Sequence, residues 1–203
     1  MLNKFIKKEL LYGANNYKPL NVIIKQGKGI YLTDINNKKY MDFLSGYSAV
    51  NQGHCHLKII DVLKKQSQTL TLTSRAFYNN KLGELCEYLC NTFNYEKFIP
   101  MNTGVEAGET AIKIARKWGY ENKNITPNKA VNLFCNNNFW GRTIAALSSS
   151  SDNTCYNNFG PYTNGFELIE YNNLEILEKK LINNPNIVSF MLEPIQGEGG
   201  III

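Results

Sequence analysis

One stretch of the chain reads MNTGVEAGETAIKIARKW, from Met101 to Trp118. It begins where a short apolar run from Phe98 ends. A turn at its Thr-Gly pair follows, and then a helical pattern. Thr103 and Glu106 have the spacing of a capping box, in which the hydroxyl accepts from the third helical amide and the carboxylate reaches back to the cap amide. The order of apolar run, turn and capped helix predicts a β-strand that leads directly into a helix.

The helical part of this stretch has apolar residues at three- and four-residue spacing, which predicts one apolar helix face. At the helix start, unbonded backbone amides and the helix dipole together favour a phosphate group. Gly104 would let the backbone approach such a ligand closely, because glycine has no Cβ. A capped helix that binds nothing is the alternative, so the interpretation depends on what else converges here. The residues of the apolar face are Ala107, Ala111, Ile114, Ala115 and Trp118.

The composition is that of a folded domain, with 203 residues of which 43% are hydrophobic and 19% charged. The net charge of +5 comes from dispersed lysines, which fit a solvated surface better than a nucleic-acid groove. No apolar run approaches the roughly 20 residues that a membrane span needs. We therefore expect neither a nucleic-acid partner nor a membrane partner.

Cysteine usage and the N-terminus bear on the compartment. The five cysteines are an odd, scattered set, which predicts free thiols in a reducing compartment. The first residues lack the apolar core of a signal peptide and the Arg/Ser-rich character of a transit peptide. We expect a cytoplasmic protein, although a processed mitochondrial form would show the same pattern. His54 and His56 are spaced i, i+2 without further clustered ligands, so we expect no metal site.

The chain reads as two regions. Residues 1–50 form an N-terminal segment with a small β meander between Val22 and Phe43, and residues 51–203 form the first part of a larger domain that looks truncated at its end. From Phe98 onward strands alternate with helices, which predicts an α/β fold with a mostly parallel sheet flanked by helices. The predicted later strands are Ala130 to Cys135, Phe166 to Tyr171 and Ile187 to Leu192.

Three loops follow predicted strands, where ligands of parallel sheets bind. The loop at residues 102–105 offers a phosphate cradle, residues 138–142 an aromatic pair with an arginine, and residues 193–198 two carboxylates and an amide. Recognition of a phosphate, a flat ring and a carboxylate in one crevice points to an aromatic phosphate cofactor that acts on an acidic substrate.

The residues of these loops resemble a known family. TGVEA at residues 103–107, FWGRT at 139–143 and EPIQGE at 193–198 are similar to motifs of class III pyridoxal-phosphate aminotransferases. SGYSAVNQGH at 45–54 and LTLTSRAFYN at 70–79 are similar to the members of that family that act on ornithine. Five motifs in the same order are far more specific than one. The resemblance implies the PLP-dependent transferase fold of type I.

The resemblance also implies a cofactor site for pyridoxal 5'-phosphate. It assigns Thr103 and the backbone amides of Gly104 and Val105 to the phosphate, and it stacks Phe139 on the pyridine ring with Trp140 beside it. The lysine that forms the Schiff base is expected beyond Ile203, so no catalytic residue is expected within this stretch. Lys113, inside the predicted helix, is expected to be a surface residue.

For the substrate, the resemblance implies four residues. Arg142 would pair with a substrate carboxylate, for which a planar guanidinium is well suited. Tyr17 and Tyr47 would line the ornithine side of the pocket. Glu198 would pair with an arginine of the later chain, masking it for ornithine and releasing it for 2-oxoglutarate. Glu193 is expected to support the site without touching the substrate.

The activity implied is transfer of the δ-amino group of L-ornithine to 2-oxoglutarate, a reaction of proline and arginine metabolism, by a homodimer with a shared active site. Two half-reactions through one site predict ping-pong kinetics. One alternative is another class III enzyme that acts on acetylornithine or 4-aminobutyrate. The other is a non-catalytic truncated relative that keeps only the phosphate and dimer surfaces.

Overall fold

The structure, a computed structural model, describes residues 3–203 and divides the chain into two compact units, one ending at Gly83 and the other comprising Glu84–Ile203. The predicted boundary after residue 50 stays a prediction. In chain order the elements are α1 (Lys4–Tyr12), β1 (Ile24–Lys28), β2 (Tyr31–Asp34), β3 (Lys39–Met41), α2 (Leu57–Thr69), α3 (Leu82–Phe93), α4 (Gly104–Asn122), β4 (Val131–Cys135), α5 (Ile144–Ser148), α6 (Asn153–Tyr156), β5 (Phe166–Ile169), α7 (Leu174–Asn183) and β6 (Ile187–Met191).

The first unit contains the predicted meander, an antiparallel sheet in the order β1-β2-β3. Asp34 closes the turn from β2 to β3, because its Oδ1 accepts from the amides of Asn36 at 2.8 Å and Lys38 at 2.9 Å. Burial opposes the charge on Asp34, yet these bonds and one from the Tyr40 hydroxyl lower the pKa of the carboxyl. The first strand starts at Ile24, two residues later than the apolar run at Val22 predicts.

The second unit contains a parallel sheet in the order β5-β4-β6, which confirms the predicted α/β fold. The central strand β4 is covered on both faces, and Leu133, Phe134 and Cys135 are almost fully buried. Asn132 is also fully buried, and its Oδ1 accepts from the Ser189 hydroxyl of β6 at 2.7 Å. That bond satisfies a buried amide and fixes the register of the two strands.

Helix α4 packs on β4 and β6 through a face that the sequence pattern did not predict. The buried residues are Gly108, Ile112 and Gly119, whereas Ile114 is 56% and Trp118 is 49% exposed. The physical reason is close approach: a Cβ on Gly119 would lie 2.3 Å from Val188 Cγ1 of β6. Glycines at the contact let the helix lie nearer the sheet than the larger apolar face would allow.

The strand predicted from Phe98 is absent from the described residues, and this prediction was wrong. Residues 97–101 are irregular backbone, although the capped helix after them is as predicted. A strand requires a ladder partner, and no described segment pairs with these residues. Within residues 3–203, none of the helices has the length and apolar character needed to cross a bilayer.

Candidate active site

The loop after β4 is fixed from inside the second unit. Asn138 Nδ2 donates to the Cys135 carbonyl at 2.8 Å and to the Ser149 carbonyl at 2.7 Å. The indole Nε1 of Trp140 donates to Ser149 Oγ at 2.8 Å. Ser149 is almost fully buried, so losing either of the two bonds that it accepts would lower the stability of the folded chain. The residues on either side of Trp140 are therefore held in one arrangement.

Trp140 joins this loop to helix α4. Its ring stacks on Phe134 of β4, with centroids 5.7 Å apart and planes 12° apart. On α4, a Cβ added to Gly108 would lie 2.7 Å from Trp140 Cε3, so the ring rests on the bare backbone of that glycine. Trp140 thus anchors the loop through protein contacts, and the predicted direct contact with a cofactor stays a prediction.

Two further contacts bring the arginine loop to the start of α4. Gly141 has φ of 149°, and a Cβ there would lie 2.3 Å from Val105 Cγ2. Only glycine fits both this backbone conformation and this contact. The Thr143 hydroxyl, which also caps α5, donates to Glu109 Oε1 at 2.5 Å. The predicted phosphate-side and carboxylate-side residues therefore meet within one unit.

The start of α4 has the geometry of an anion site. Thr103 and Glu106 form the predicted capping box, with bonds of 3.2 Å and 3.0 Å. Ala107 donates to the Thr103 carbonyl, so the amides of Gly104 and Val105 precede the first intrahelical bond. A Cβ on Gly104 would meet no atom within 4 Å, so the space beside it is open. A phosphate group fits this open, amide-lined helix start.

Phe139 and Arg142 project from the same loop. The Phe139 side chain is 37% exposed, and the Arg142 guanidinium carbon lies 5.8 Å from its ring centroid. The backbone amide of Phe139 donates to Glu193 Oε2 at 3.0 Å. The loop after β6 thus holds the aromatic residue of the loop after β4, and the supporting role of Glu193 in a substrate site stays a prediction.

The loop after β6 is held in turn by Tyr171, to which the sequence analysis gave no role, and by its own Gln196. The Tyr171 hydroxyl lies 3.1 Å from the Glu193 carbonyl and 2.8 Å from the Pro194 carbonyl. Gln196 is fully buried, and its Nε2 donates to the Asn136 carbonyl at 2.8 Å. Glu198 lies exposed in the same loop. Burial and the nearby Glu193 charge raise the pKa of the Cys135 thiol, in keeping with an acidic group at this edge of the sheet.

The other two predicted substrate residues lie in the first unit and lie next to each other. The hydroxyl oxygens of Tyr17 and Tyr47 are 3.1 Å apart, and both side chains are exposed. Tyr47 sits in a run of four residues with positive φ, from Ser45 to Ser48. Within the described chain, no group of three or more His, Cys, Asp or Glu side chains lies together as metal ligands would, and His54 instead bonds Asp42 at 2.7 Å.

Sequence reasoning missed Glu109, Asn138, Ser149 and Tyr171, which support the site through backbone or loop contacts. Glu109 had a weak signal, since it lies one turn after the capping-box glutamate. Asn138, Ser149 and Tyr171 each make a bond that crosses 9 to 23 residues of chain, and no local spacing marks such pairs.

The family model of class III aminotransferases matches residues 12–203. The chain belongs to the class III aminotransferase family.

Relatives within this family agree with the fold described above. The mitochondrial ornithine aminotransferase of Rattus norvegicus is 58% identical over 97% of this chain, which spans 45% of the rat protein. A crystal structure of the Toxoplasma gondii ornithine aminotransferase, with partial occupancy of PLP at its active site, has a TM-score of 0.95 and 51% identity over 98% of this chain and 46% of that one. The acetylornithine aminotransferase of Elizabethkingia anophelis has a TM-score of 0.82 and 44% identity over 98% of this chain and 46% of its own. The fold is therefore that of the PLP-dependent aminotransferases.

Proposed function

We propose that this chain is the N-terminal part of an ornithine δ-aminotransferase that uses pyridoxal 5'-phosphate. The observation that carries the proposal is the convergence of three family motifs in one unit. Gly141 lies against Val105, and the Phe139 amide bonds Glu193, which supports a single site for the proposed phosphate, ring and carboxylate elements. The high identity to ornithine aminotransferases supports the choice of reaction.

The residues present fit the cofactor. The amides of Gly104 and Val105 would hold its phosphate beside the capping Thr103, and the exposed ring of Phe139 would stack on its pyridine. When bound, pyridoxal phosphate supplies an electron sink for reactions at the carbon that bears the amine. The protein's part is to orient both groups and to exclude competing reactions. Trp140 contributes by holding the loop that carries Phe139.

The substrate side would use charge and hydroxyl groups. The planar, exposed guanidinium of Arg142 would bind a substrate carboxylate. The paired hydroxyls of Tyr17 and Tyr47 can accept hydrogen bonds from an ammonium group, and ornithine carries one at its α-carbon. Glu198 would pair with an arginine of the rest of the protein. The δ-amino group would pass to 2-oxoglutarate, giving glutamate 5-semialdehyde and glutamate.

The remaining expectations belong to the same proposal. We propose a homodimer with a shared site and a Schiff-base lysine in the part of the relatives that this chain does not span. The predicted cytoplasmic location stays a prediction, and the relatives from rat and Drosophila melanogaster are named mitochondrial.

A second candidate is an aminotransferase that acts on acetylornithine, which the 44% identity to the Elizabethkingia enzyme favours. Tyr47 is the residue that we expect to set a preference for ornithine. In the protein encoded by the complete reading frame, Tyr47→Ile should shift preference from L-ornithine towards 4-aminobutyrate, a smaller ω-amine that lacks the α-ammonium. An unchanged preference would contradict the role of Tyr47.

Initial-rate kinetics test the reaction itself. With L-ornithine and 2-oxoglutarate varied together, the complete enzyme should give parallel double-reciprocal lines, because each half-reaction releases a product before the next substrate binds. Intersecting lines would contradict the proposed mechanism. Absence of turnover with ornithine, together with turnover of acetylornithine, would establish the second candidate instead.

A further inference from the structure

Tyr47 lies in an unusual backbone conformation that something in the first unit must hold. Ser45, Gly46, Tyr47 and Ser48 have φ values of 52°, 59°, 56° and 66°, so four consecutive residues form a left-handed turn. The turn is closed by bonds from Ser48 N to Leu44 O at 3.2 Å and from Val50 N to Ser45 O at 3.0 Å. Residues other than glycine are strained in this region, and such strain persists only where surrounding contacts impose it.

Asp42 supplies the first of these contacts. Its Oδ1 accepts from the amides of Leu44 at 3.0 Å and Ser45 at 2.9 Å, the two residues that open the turn. The same carboxylate offers Oδ2 to His54 Nε2 at 2.7 Å. Hydrogen bonds from His54 and from these amides lower the pKa of Asp42, so the charged form that accepts all three bonds is favoured.

His54 is in turn fixed to the meander. Its backbone exchanges two bonds with Gly29, of 2.9 Å and 2.8 Å, in an isolated antiparallel bridge. Its ring rests on Gly27, where an added Cβ would lie 2.7 Å from His54 Cγ. A continuous path therefore runs from the sheet through His54 and Asp42 to the turn, and then to the Tyr47 hydroxyl 3.1 Å from that of Tyr17.

We propose that His54 is a positioning residue for substrate selection, which acts through Asp42 to fix the left-handed turn and so the paired hydroxyls of Tyr17 and Tyr47. The inference rests on the proposed function, since it assumes that these hydroxyls read the α-ammonium group of an ornithine-like diamino acid. A pair held in place discriminates strongly against an analogue without that group, whereas a mobile pair does not. His54 itself would touch neither substrate nor cofactor.

The test compares three variants of the complete enzyme. His54→Ala removes the donor to Asp42, His54→Gln keeps a donor at the position of Nε2, and His56→Ala is a matched control two residues away, since the side chain of His56 does not cap α2. The readout is the ratio of kcat/KM for L-ornithine to that for 4-aminobutyrate. We expect about a tenfold fall in this ratio for His54→Ala, and values within about threefold of the parent for the other two.

Amide hydrogen exchange gives a readout that does not depend on activity. In the parent, the amides of Leu44, Ser45, Ser48 and Val50 should be protected, and His54→Ala should speed their exchange while leaving that of α4 unchanged. The proposal would be overturned if His54→Ala kept the kcat/KM ratio of the parent, or if exchange at these amides did not change. It would also be overturned if the ratio fell as far in His54→Gln as in His54→Ala. If the parent enzyme does not turn over ornithine, the proposed function fails, and exchange alone decides whether His54 holds the turn.

Discussion

The backbone amide of Phe139 donates to the carboxylate of Glu193 across 3.0 Å, which joins the loops after the neighbouring strands β4 and β6. The bond ties an aromatic residue proposed to stack on the cofactor to a loop that also carries Glu198. Tyr171, just after β5, holds the same loop by its backbone carbonyls. All three strands of the sheet thus contribute to one arrangement at their carboxyl ends.

Glu193→Ala should weaken cofactor retention. A hydrogen bond to a charged acceptor contributes about 1.5–3 kcal/mol, so we expect the dissociation constant of pyridoxal phosphate to rise by about one to two orders of magnitude in the complete enzyme. Glu193→Gln keeps an acceptor oxygen and should lose much less. Titration of apoenzyme with cofactor measures both, and equal affinities for the alanine variant and the parent would show that the bond does not position Phe139.

Gly108→Ala should destabilise the second unit. The new Cβ would lie 2.7 Å from Trp140 Cε3 and 3.4 Å from Met191 Cε. The indole ring cannot move aside easily, because Ser149 and Phe134 hold it. We expect a loss of about 1–3 kcal/mol in the free energy of unfolding.

Gly83→Ala is the matched control for that substitution. Gly83 is also helical, but a Cβ there meets no atom within 4 Å. The change should stabilise α3 by about 0.5–1 kcal/mol. Urea unfolding compares the two variants, and a Gly108→Ala protein as stable as the parent would contradict the close contact of Trp140 with α4.

Ser48→Gly should stabilise the first unit. Ser48 has φ of 66°, a conformation that glycine adopts without steric strain. Glycine also gives the unfolded chain more freedom, so we expect the free energy of unfolding to rise by no more than about 1 kcal/mol. Ala49→Gly, at a neighbour without positive φ, should instead cost about 0.5–1 kcal/mol. If thermal unfolding shows both substitutions lowering the midpoint equally, the turn is not left-handed at Ser48.

Acid should weaken the first unit through Asp42. Its pKa in the folded chain is lowered, chiefly by the bond from His54 and then by the amides of Ser45 and Leu44, against the opposing effect of burial. Because the folded pKa lies below the unfolded value of about 3.9, the charged carboxylate of Asp42 stabilises the folded chain. This stabilisation is complete above the unfolded value and is lost as pH falls through the folded pKa.

Asp42→Asn removes that titration, so the stability of the variant should fall less steeply than that of the parent as pH drops below about 5. Asp61→Asn, at an exposed carboxylate on α2, serves as the control and should keep the steep acid dependence. Urea midpoints measured across this range check the difference. Parallel curves for Asp42→Asn and the parent would refute the role of the charged carboxylate.

The sequence predicted those features that depend on local pattern. The capping box of Thr103 and Glu106, the meander between Val22 and Phe43 and the strand that ends at Cys135 each follow from neighbouring residues, and the structure has all three. The motif loops at residues 138–142 and 193–198 follow β4 and β6 as predicted, because parallel sheets bring such strand ends together, whereas the loop at residues 102–105 follows irregular backbone.

Features that depend on distant partners were not predictable in the same way. The period of α4 favoured Ile114 and Trp118 as its buried face, but the contact is decided by how closely Gly108 and Gly119 approach Trp140 and Val188. The apolar run at Phe98 has strand character but no ladder partner among the described residues. The left-handed turn at Tyr47 could not be predicted from its own residues, because contacts with Asp42 and His54 hold it against the backbone preference of its serines.

We propose above all that this chain belongs to an enzyme that carries an amino group from ornithine to 2-oxoglutarate on pyridoxal phosphate. The most direct measurement is an absorption spectrum of the protein encoded by the complete reading frame. We expect the band of the bound cofactor to bleach when L-ornithine is added and to return when 2-oxoglutarate follows. A band that ornithine leaves unchanged, or the absence of any cofactor band, would contradict the claim.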